Sequence, residues 1–323
     1  MPDIPGRSPA VEAVGLVKRF GDFTAVDGVS FSVPAGTVLG MLGPNGAGKT
    51  TTVRMMTTLS RPTAGTARIA GHDVLEEPAM VRRSMGLTGQ AATVDELLTG
   101  RENLAMIGGL YGIRRAALRS RCEQLLEQFS LTDAGNKVVR DYSGGMRRRL
   151  DLAVSLLAAP PVLFLDEPTT GLDPHSRNEL WDVLRELVAG GTTLVLTTQY
   201  LEEADQLADT IVVIDRGRII AEGTPLQLKE RSGAASVIAT VTHAHQLEHA
   251  HRLLVQHSPE IFLDADVRTL TVAAGGLDDL TRIAGLLSAE QIAVDDLRLS
   301  RPSLDDVFLS LTGHRSSTGE EQP

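Results

Sequence analysis

The 323-residue chain has a single cysteine, Cys122, and therefore cannot form a disulfide within itself. One unpaired cysteine is typical of proteins that fold in a reducing compartment. Lysine occurs only at positions 18, 49, 137 and 229, so most of the 31 basic residues are arginine. Because acidic residues outnumber basic ones and the formal net charge is -10, the composition argues against a large nucleic-acid-binding surface.

Long apolar runs are also lacking. The longest apolar stretch, residues 150–165, is interrupted by Asp151 and by Pro160 and Pro161, whereas a membrane-spanning helix needs about 20 consecutive apolar residues. Residues 1–10 contain three prolines and no apolar core, unlike a secretory signal. We therefore expect that any role at a membrane depends on a partner protein.

The distribution of apolar residues predicts two domains, which the length of the chain also favours. Residues 11–231 alternate short apolar strands with helices, as in an α/β domain, and residues 95–150 lack strand alternation, which predicts a helical insert. Residues 232–313 predict the element order β-α-β-β-α-β of a small ferredoxin-like α+β domain. We expect residues 1–10 to form a flexible arm and residues 314–323 to form a disordered tail.

A glycine-rich loop stands between a predicted strand, residues 37–42, and a predicted helix, residues 49–59. Backbone N–H groups of such a loop can surround phosphates, and the following helix presents its positive end to them. The ammonium of Lys49 can reach the β- and γ-phosphates, and the hydroxyl of Thr50 can bind Mg²⁺. Strand, loop and helix together predict a nucleotide-binding site formed by Gly43, Pro44, Asn45, Gly46, Ala47, Gly48, Lys49, Thr50 and Thr51.

A second apolar strand, residues 162–165, is followed by Asp166 and Glu167. A strand that ends in carboxylates delivers them to the carboxyl edge of a sheet, where ligands bind in α/β folds. Asp166 is suited to holding Mg²⁺, and Glu167 is suited to act as the base or orienter for an attacking water. Alone, two such residues would be interpreted as surface acids at a strand end; the phosphate loop favours the catalytic interpretation.

These two segments and two further motifs, Tyr142-Ser143-Gly144-Gly145-Met146 and Gly171-Leu172-Asp173, occur in an order that resembles ABC-type ATPases. The resemblance covers about residues 10–230 and implies a P-loop ABC-type nucleotide-binding domain with ATP and Mg²⁺ as its cofactors. It implies that Ser143, Gly144 and Gly145 contact the γ-phosphate held by a second copy of the chain. Hydrolysis would then require a homodimer closed around two MgATP, across which Asp173 communicates.

The resemblance assigns roles to three further residues. Gln90 would sense Mg²⁺ and link to a membrane partner, the alternative being an ordinary loop glutamine. Phe20 would stack on adenine, with Phe23 as a weaker candidate and core packing as the alternative for both. Gln199 stands where most members place a histidine; an amide can donate to the γ-phosphate but cannot carry a proton or a charge. We therefore expect either slow turnover or hydrolysis that relies on Glu167 alone.

Within this family, the chain most resembles the daunorubicin-resistance-type ATP-binding subunits of drug exporters. This finer resemblance rests on three segments, residues 142–149, 199–205 and 301–308. This implies a bacterial ATPase, peripheral to the cytoplasmic face of the cell membrane, that drives efflux of an amphipathic drug or lipid through a separate permease. Contact with the membrane would occur only through the permease, without direct nucleic-acid binding. Three alternatives stay open: a non-transport ABC ATPase acting on ribosomes or DNA, an ATP-gated binding module with little hydrolysis, and an importer subunit. The small C-terminal domain is expected to stabilise the dimer or regulate the cycle.

Two clusters of polar residues are interpreted as ordinary surface features. Five histidines lie between residues 243 and 257, but neither cysteine nor a well-placed carboxylate completes a metal site around His245 and His249. Arg147, Arg148 and Arg149 are expected to lie on the helix that follows Ser143 and to pair with nearby acids, rather than to bind phosphate or lipid.

Overall fold

The computed structural model describes residues 9–89, 94–231, 235–256, 258 and 261–313. The chain divides into two compact units, Met1–Pro225 and Leu226–Pro323, while the domain boundary after residue 231 stays a prediction. Residues 1–8 of the predicted arm, the predicted tail and Gln90 lie outside the described residues.

The first unit contains ten strands and seven helices within the described residues. They are β1 (Val11–Phe20), β2 (Phe23–Val33), β3 (Val38–Leu42), α1 (Lys49–Met56), β4 (Ala64–Ile69), β5 (His72–Asp73), α2 (Pro78–Arg83), β6 (Met85–Thr88), α3 (Gly100–Leu110), α4 (Arg115–Gln128), α5 (Gly144–Ser155), β7 (Val162–Asp166), α6 (Pro174–Ala189), β8 (Thr193–Thr198), α7 (Leu201–Leu207), β9 (Thr210–Asp215) and β10 (Arg218–Gly223).

The main sheet of this unit has the strand order β10-β9-β3-β8-β7-β6. The pairs from β9 to β6 are parallel and only β10 runs antiparallel. All residues of β3, β7 and β8 are buried, as expected for parallel strands that are covered on both faces. The carboxyl ends of β3, β7 and β8 therefore meet at one edge of the sheet, where the predicted phosphate loop and carboxylates lie.

A second, antiparallel sheet has the order β2-β1-β4-β5. A turn at Gly21 and Asp22 joins β1 to β2. Ala10, which was expected in the flexible arm, extends this sheet: its N–H donates to the carbonyl of Val33 and its carbonyl accepts from the N–H of Ala70. The elements β4, β5 and α2 were not predicted, because the short, weakly apolar β4 is specified by its pairing with β1 rather than by its own pattern.

The predicted helical insert is confirmed: α3, α4 and α5 lie between β6 and β7, and the structure places no named strand among the described residues of that interval. A capping box begins α3, since the side chain of Thr99 accepts from the N–H of Glu102 while the Glu102 carboxylate accepts from the N–H of Thr99. Leu104, Leu125 and Phe129 are fully buried, so the helices of the insert pack around apolar side chains of their own.

The second unit comprises α8 (Pro225–Arg231), β11 (Ser236–Val241), α9 (Ala244–Val255), β12 (Ile261–Asp264), β13 (Thr269–Ala273), α10 (Leu277–Ala289), β14 (Val294–Ser300) and α11 (Leu304–Gly313). Its strands are arranged β12-β13-β11-β14 with every neighbouring pair antiparallel. The predicted β-α-β-β-α-β arrangement is thus confirmed. Within the described residues, no helix has both the length and the apolar composition needed to cross a membrane.

Two leucines of α3 provide a matched test of the packing in the insert. Leu104 is 0% exposed and Leu110 is 84% exposed. We expect Leu104→Ala to lower the free energy of unfolding by about 2–5 kcal/mol, because it leaves a cavity, and Leu110→Ala to change it by less than about 0.5 kcal/mol. Urea denaturation followed by fluorescence of the single tryptophan, Trp181, measures both. Equal losses in the two variants would contradict the assigned packing.

Candidate nucleotide-binding site

The phosphate loop joins β3 to α1 and packs closely against neighbouring backbone. Gly43 and Gly48 have φ of 156° and 109°, values that residues with a side chain rarely adopt. A Cβ on Gly43 would lie 2.2 Å from the carbonyl oxygen of Ile214, and a Cβ on Gly48 would lie 2.6 Å from that of Ala25. Glycine is therefore required at both positions for the loop to keep this path.

Lys49 begins α1 and is only 4% exposed. Its ammonium donates to the carbonyl oxygens of Gly43 at 2.7 Å and Pro44 at 3.1 Å. Burial lowers the pKa of Lys49, while the carboxylates of Glu167 and Asp166 act in the opposite direction. The ammonium thus lies within the loop where phosphates are expected, and a phosphate can replace the two carbonyls as its acceptor.

Thr50 and Asp166 form a site with the chemistry of a magnesium centre. The hydroxyl of Thr50 donates to Oδ1 of Asp166 at 3.1 Å, and the hydroxyl of Thr197 donates to the same oxygen. Asp166 is buried, and the two hydroxyls fix the orientation of its carboxylate. A hydroxyl and a carboxylate oxygen within hydrogen-bond distance fit the oxygen ligands that Mg²⁺ prefers.

Glu167 adopts an unusual backbone conformation, with φ of 51°. Left-handed backbone is uncommon for residues other than glycine and persists where surrounding contacts hold it. Its N–H donates to the carbonyl oxygen of Thr197 at 3.0 Å and to the hydroxyl of Thr197 at 3.2 Å. Its carboxylate accepts from the hydroxyl of Thr170 at 3.3 Å. The side chain of Glu167 therefore occupies a defined place next to Asp166.

The Ser-Gly-Gly segment forms the amino end of α5. Ser143 caps the helix by accepting from the N–H of Met146 at 3.2 Å. Ser143 and Gly144 are exposed, whereas a Cβ on Gly145 would lie 2.6 Å from the hydroxyl of Ser176. The exposed amino end of a helix carries partial positive charge and free N–H groups. It can therefore bind an anion that a second molecule presents, as the resemblance implies.

Asp173 caps α6 by accepting from the N–H and hydroxyl of Ser176, at 2.9 Å and 2.7 Å. The hydrogen bonds from Ser176 lower the pKa of Asp173, which favours its carboxylate form. The same Ser176 packs against Gly145. Ser176 thus connects Asp173, a predicted site residue, to the Ser-Gly-Gly segment within one chain.

Both candidate adenine-binding residues are exposed. Phe20 ends β1 with 55% of its surface exposed, and Phe23 begins β2 with 64% exposed. The ammonium of Lys18 lies 5.0 Å from the centre of the Phe20 ring. Exposure excludes core packing as the role of either ring, and both remain available for stacking.

Gln199 follows β8 and is exposed, while its neighbours are anchored. The N–H of Tyr200 donates to the hydroxyl of Thr198 at 2.9 Å, and the guanidinium of Arg177 lies 5.2 Å from the Tyr200 ring. A cleft of about 550 Å³ is lined by Asn45, Gly144 and Glu167, together with Arg147, Arg148, Asp151, Thr170, Gly171 and Leu172. The structure thus brings the phosphate loop, Glu167 and the Ser-Gly-Gly segment to the walls of one cleft.

The three arginines that follow the Ser-Gly-Gly segment pair with acids, as predicted: Arg147 with Glu96 at 2.9 Å, Arg148 with Asp151 at 3.9 Å and Arg149 with Glu179 at 3.5 Å.

The sequence analysis did not predict three residues near the site, namely Arg148 as a donor to backbone carbonyls, Thr197 and Glu203. No sequence signal marks them, because their partners are main-chain atoms or distant side chains.

Glu203 lies on α7, four residues after Gln199 in the chain, and is fully buried. The indole N–H of Trp181 is 3.4 Å from its Oε1. Burial raises the pKa of Glu203, and hydrogen bonds together with the charge of Arg177 oppose this only in part. The carboxyl group of Glu203 therefore favours the neutral form in the folded protein more than it does in the unfolded chain.

Glu203→Gln is expected to give a pH-dependent gain in stability relative to the wild type. Since the pKa of Glu203 is raised in the folded state, its contribution is fully present below the unfolded-state pKa and is lost as the pH rises through the folded-state pKa. The difference in unfolding midpoint, variant minus wild type, should therefore increase from about pH 5 to about pH 8. Thermal unfolding followed by circular dichroism at several pH values measures it. A difference that is constant or decreases with pH would contradict the buried carboxyl.

Comparison with known proteins places this site in a family. The ABC transporter family model matches residues 26–170. The chain is 51% identical over 314 residues to the daunorubicin resistance ATP-binding protein DrrA2 of Streptomyces coeruleorubidus, covering 96% of this chain and 97% of that protein. It is 42% identical over 311 residues to the Nod factor export ATP-binding protein I of Ralstonia nicotianae, covering 95% of each.

Solved structures of ATP-binding cassettes have the same fold as the first unit of this chain. The structure of an ATP-binding subunit of an ABC transporter superposes with a TM-score of 0.62 at 28% identity, covering 69% of this chain and 92% of that one. A dimeric ATP-binding cassette in a post-hydrolysis state, bound to ADP and phosphate, shares the fold with a TM-score of 0.61 at 24% identity, covering 66% of this chain and 98% of that one. With its phosphate loop, paired carboxylates and Ser-Gly-Gly helix end in the places described above, the chain belongs to the ATP-binding subunits of ABC transporters and is an ATPase.

Proposed function

We propose that two copies of this chain close around two MgATP and that hydrolysis drives export of an amphipathic drug or lipid through a separate membrane permease. The observation that carries the catalytic part is the meeting of Lys49, Asp166 and Glu167 at one sheet edge. The relatives named for drug resistance or for Nod factor export support the transport part.

Binding of ATP would use the phosphate loop and the rings at the end of the first hairpin. The N–H groups of residues 43–51 would surround the phosphates, Lys49 would exchange its carbonyl acceptors for phosphate oxygens, and Phe20 would stack on adenine. Thr50, Asp166 and Gln90 would hold the Mg²⁺, which when bound neutralises charge on the phosphates.

Hydrolysis would depend on Glu167 and on a second copy of the chain. Glu167 would orient the attacking water and accept its proton, since its carboxylate lies next to Asp166 and the phosphate loop. The exposed helix end at Ser143, Gly144 and Gly145 would bind the γ-phosphate held by the partner subunit. Gln199, which follows β8 at the same sheet edge as the phosphate loop, would donate a hydrogen bond to the γ-phosphate of the ATP held by its own chain, without taking part in proton transfer.

Contact with the permease is proposed for the helical insert. Four large apolar side chains in the interval 97–111 are exposed: Leu97, Met106, Leu110 and Tyr111. Exposed apolar side chains concentrated in one segment are typical of protein-binding surfaces. A permease bound there would place the chain at the cytoplasmic face of a bacterial membrane, as a peripheral subunit.

Export can be measured in cells that express this chain together with a candidate permease. We expect lower steady-state accumulation of a fluorescent amphipathic anthracycline in cells with the wild-type chain than in matched cells with Glu167→Gln. Loss of the catalytic carboxylate should reduce ATP hydrolysis by about 100-fold or more while nucleotide binding is retained. Equal accumulation in both cell lines at equal expression would refute export of this class of compound, and a reversed difference would indicate import.

A further inference from the structure

We propose that Arg148 is a positioning residue for ATP hydrolysis: its guanidinium fixes the backbone that carries Asp166 and Glu167 and joins it to helix α5. The inference rests on the proposed catalytic role of Glu167. It adds a residue that acts on the reaction through the backbone of that carboxylate.

The guanidinium of Arg148 donates to four main-chain carbonyls. Its Nε donates to Pro168 at 2.8 Å, and its Nη2 donates to Asp166 at 3.2 Å and to Glu167 at 3.0 Å. Its Nη1 donates to Gly89 at 2.7 Å. Three of the four acceptors are consecutive residues, so one planar group holds the path of the chain as it leaves β7.

This arrangement uses properties that only arginine has. A guanidinium presents five N–H donors in a rigid fork and keeps its charge when buried, whereas an ammonium is a single centre of donors. The Arg148 side chain is 13% exposed, and its cation lies 3.9 Å from Asp151, which is 1% exposed. Four backbone carbonyls and one carboxylate therefore surround the guanidinium of Arg148.

The bonds matter because Glu167 has left-handed backbone, with φ of 51°. Such a conformation persists only where contacts on both sides hold it. Thr197 binds the N–H of Glu167, and Arg148 binds its carbonyl oxygen. Without Arg148, the residue can relax toward ordinary backbone and carry its carboxylate away from the phosphate site. Displacing a catalytic group by about 1 Å can reduce a rate by about 100-fold.

Arg148 also contacts the segment after β6, through its hydrogen bond to Gly89. Gly89 directly follows β6 and precedes Gln90, which is proposed to bind Mg²⁺. Arg148 thus joins helix α5, the segment after β6 and the segment after β7 at one guanidinium. A movement of α5 therefore acts on the backbone of Glu167 directly.

Arg101 provides a control outside the cleft. Its guanidinium makes three hydrogen bonds, two to the carboxylate of Glu123 at 2.9 Å and 2.6 Å and one to the side-chain oxygen of Asn136 at 2.9 Å. Both partners lie in the helical insert, and neither of them is next to Glu167. Arg101→Gln therefore removes a comparable set of bonds without loosening the catalytic backbone.

The test compares Arg148→Gln, Arg148→Lys, Arg101→Gln and wild type as full-length proteins. The measurements are steady-state ATP hydrolysis and the affinity for a fluorescent ATP analogue. We expect Arg148→Gln to lower kcat by at least about 10-fold while KM and the dissociation constant change by less than about twofold, because the four carbonyls that Arg148 binds belong to residues 89 and 166–168 rather than to the phosphate loop. Arg101→Gln should keep kcat within about twofold of wild type. Arg148→Lys retains the charge but not the fork, so its kcat should also be reduced.

Two results would overturn the inference. One is a kcat for Arg148→Gln within about twofold of wild type; the other is a loss of ATP affinity as large as the loss of kcat, which would assign Arg148 to nucleotide binding. If Arg148→Gln does not fold, Arg148→Lys decides, and a wild-type kcat in that variant overturns the inference. Glu167→Gln, measured in parallel, separates the two proposals: a normal kcat there refutes the role of Glu167, whereas a lost kcat there beside a normal kcat in Arg148→Gln refutes only the role of Arg148.

Discussion

The hydrogen bonds that join Thr50 and Thr197 to one oxygen of Asp166 hold the ATPase site together. Each of these residues comes from a different strand end: Thr50 follows the loop after β3, Asp166 ends β7 and Thr197 lies at the end of β8. Because β7 and β3 both flank β8 in a parallel sheet, the carboxyl ends of the three strands lie side by side. The same Thr197 also binds the N–H of Glu167, so the proposed metal site and the proposed base share one anchor.

On the proposed mechanism, each active site combines two halves that come from two chains. The phosphate loop, Asp166 and Glu167 form one half, and the exposed helix end at Ser143 forms the other half, which on the proposed mechanism serves the nucleotide of a second copy. The contacts of Ser176 with Asp173 and Gly145, and those of Arg148 with the carbonyls after β7, connect the two halves within a chain. These connections give a physical route by which nucleotide binding at one half can move the other.

The sequence was sufficient to predict those parts of the fold whose side chains determine their own structure. Continuous apolar runs predicted β3 and β7, and the glycine loop between a strand and a helix predicted the phosphate site. Strand β4 was missed because pairing with β1 specifies it, and the role of Arg148 was missed because its acceptors are carbonyls, which every residue has. The left-handed backbone of Glu167 was equally invisible, since glutamate shows no preference for that conformation and only its neighbours impose it.

The central claim is that an active site is built from two chains, and mixing two inactive variants tests it most directly. Lys49→Ala removes the phosphate-loop half and Ser143→Arg removes the helix-end half, so neither should hydrolyse ATP alone. In a mixed dimer the intact halves meet at one of two sites, and an equal mixture should therefore recover up to about a quarter of the wild-type rate. A mixture that forms mixed dimers but stays as inactive as its components, or a Ser143→Arg protein that is fully active alone, would contradict the account.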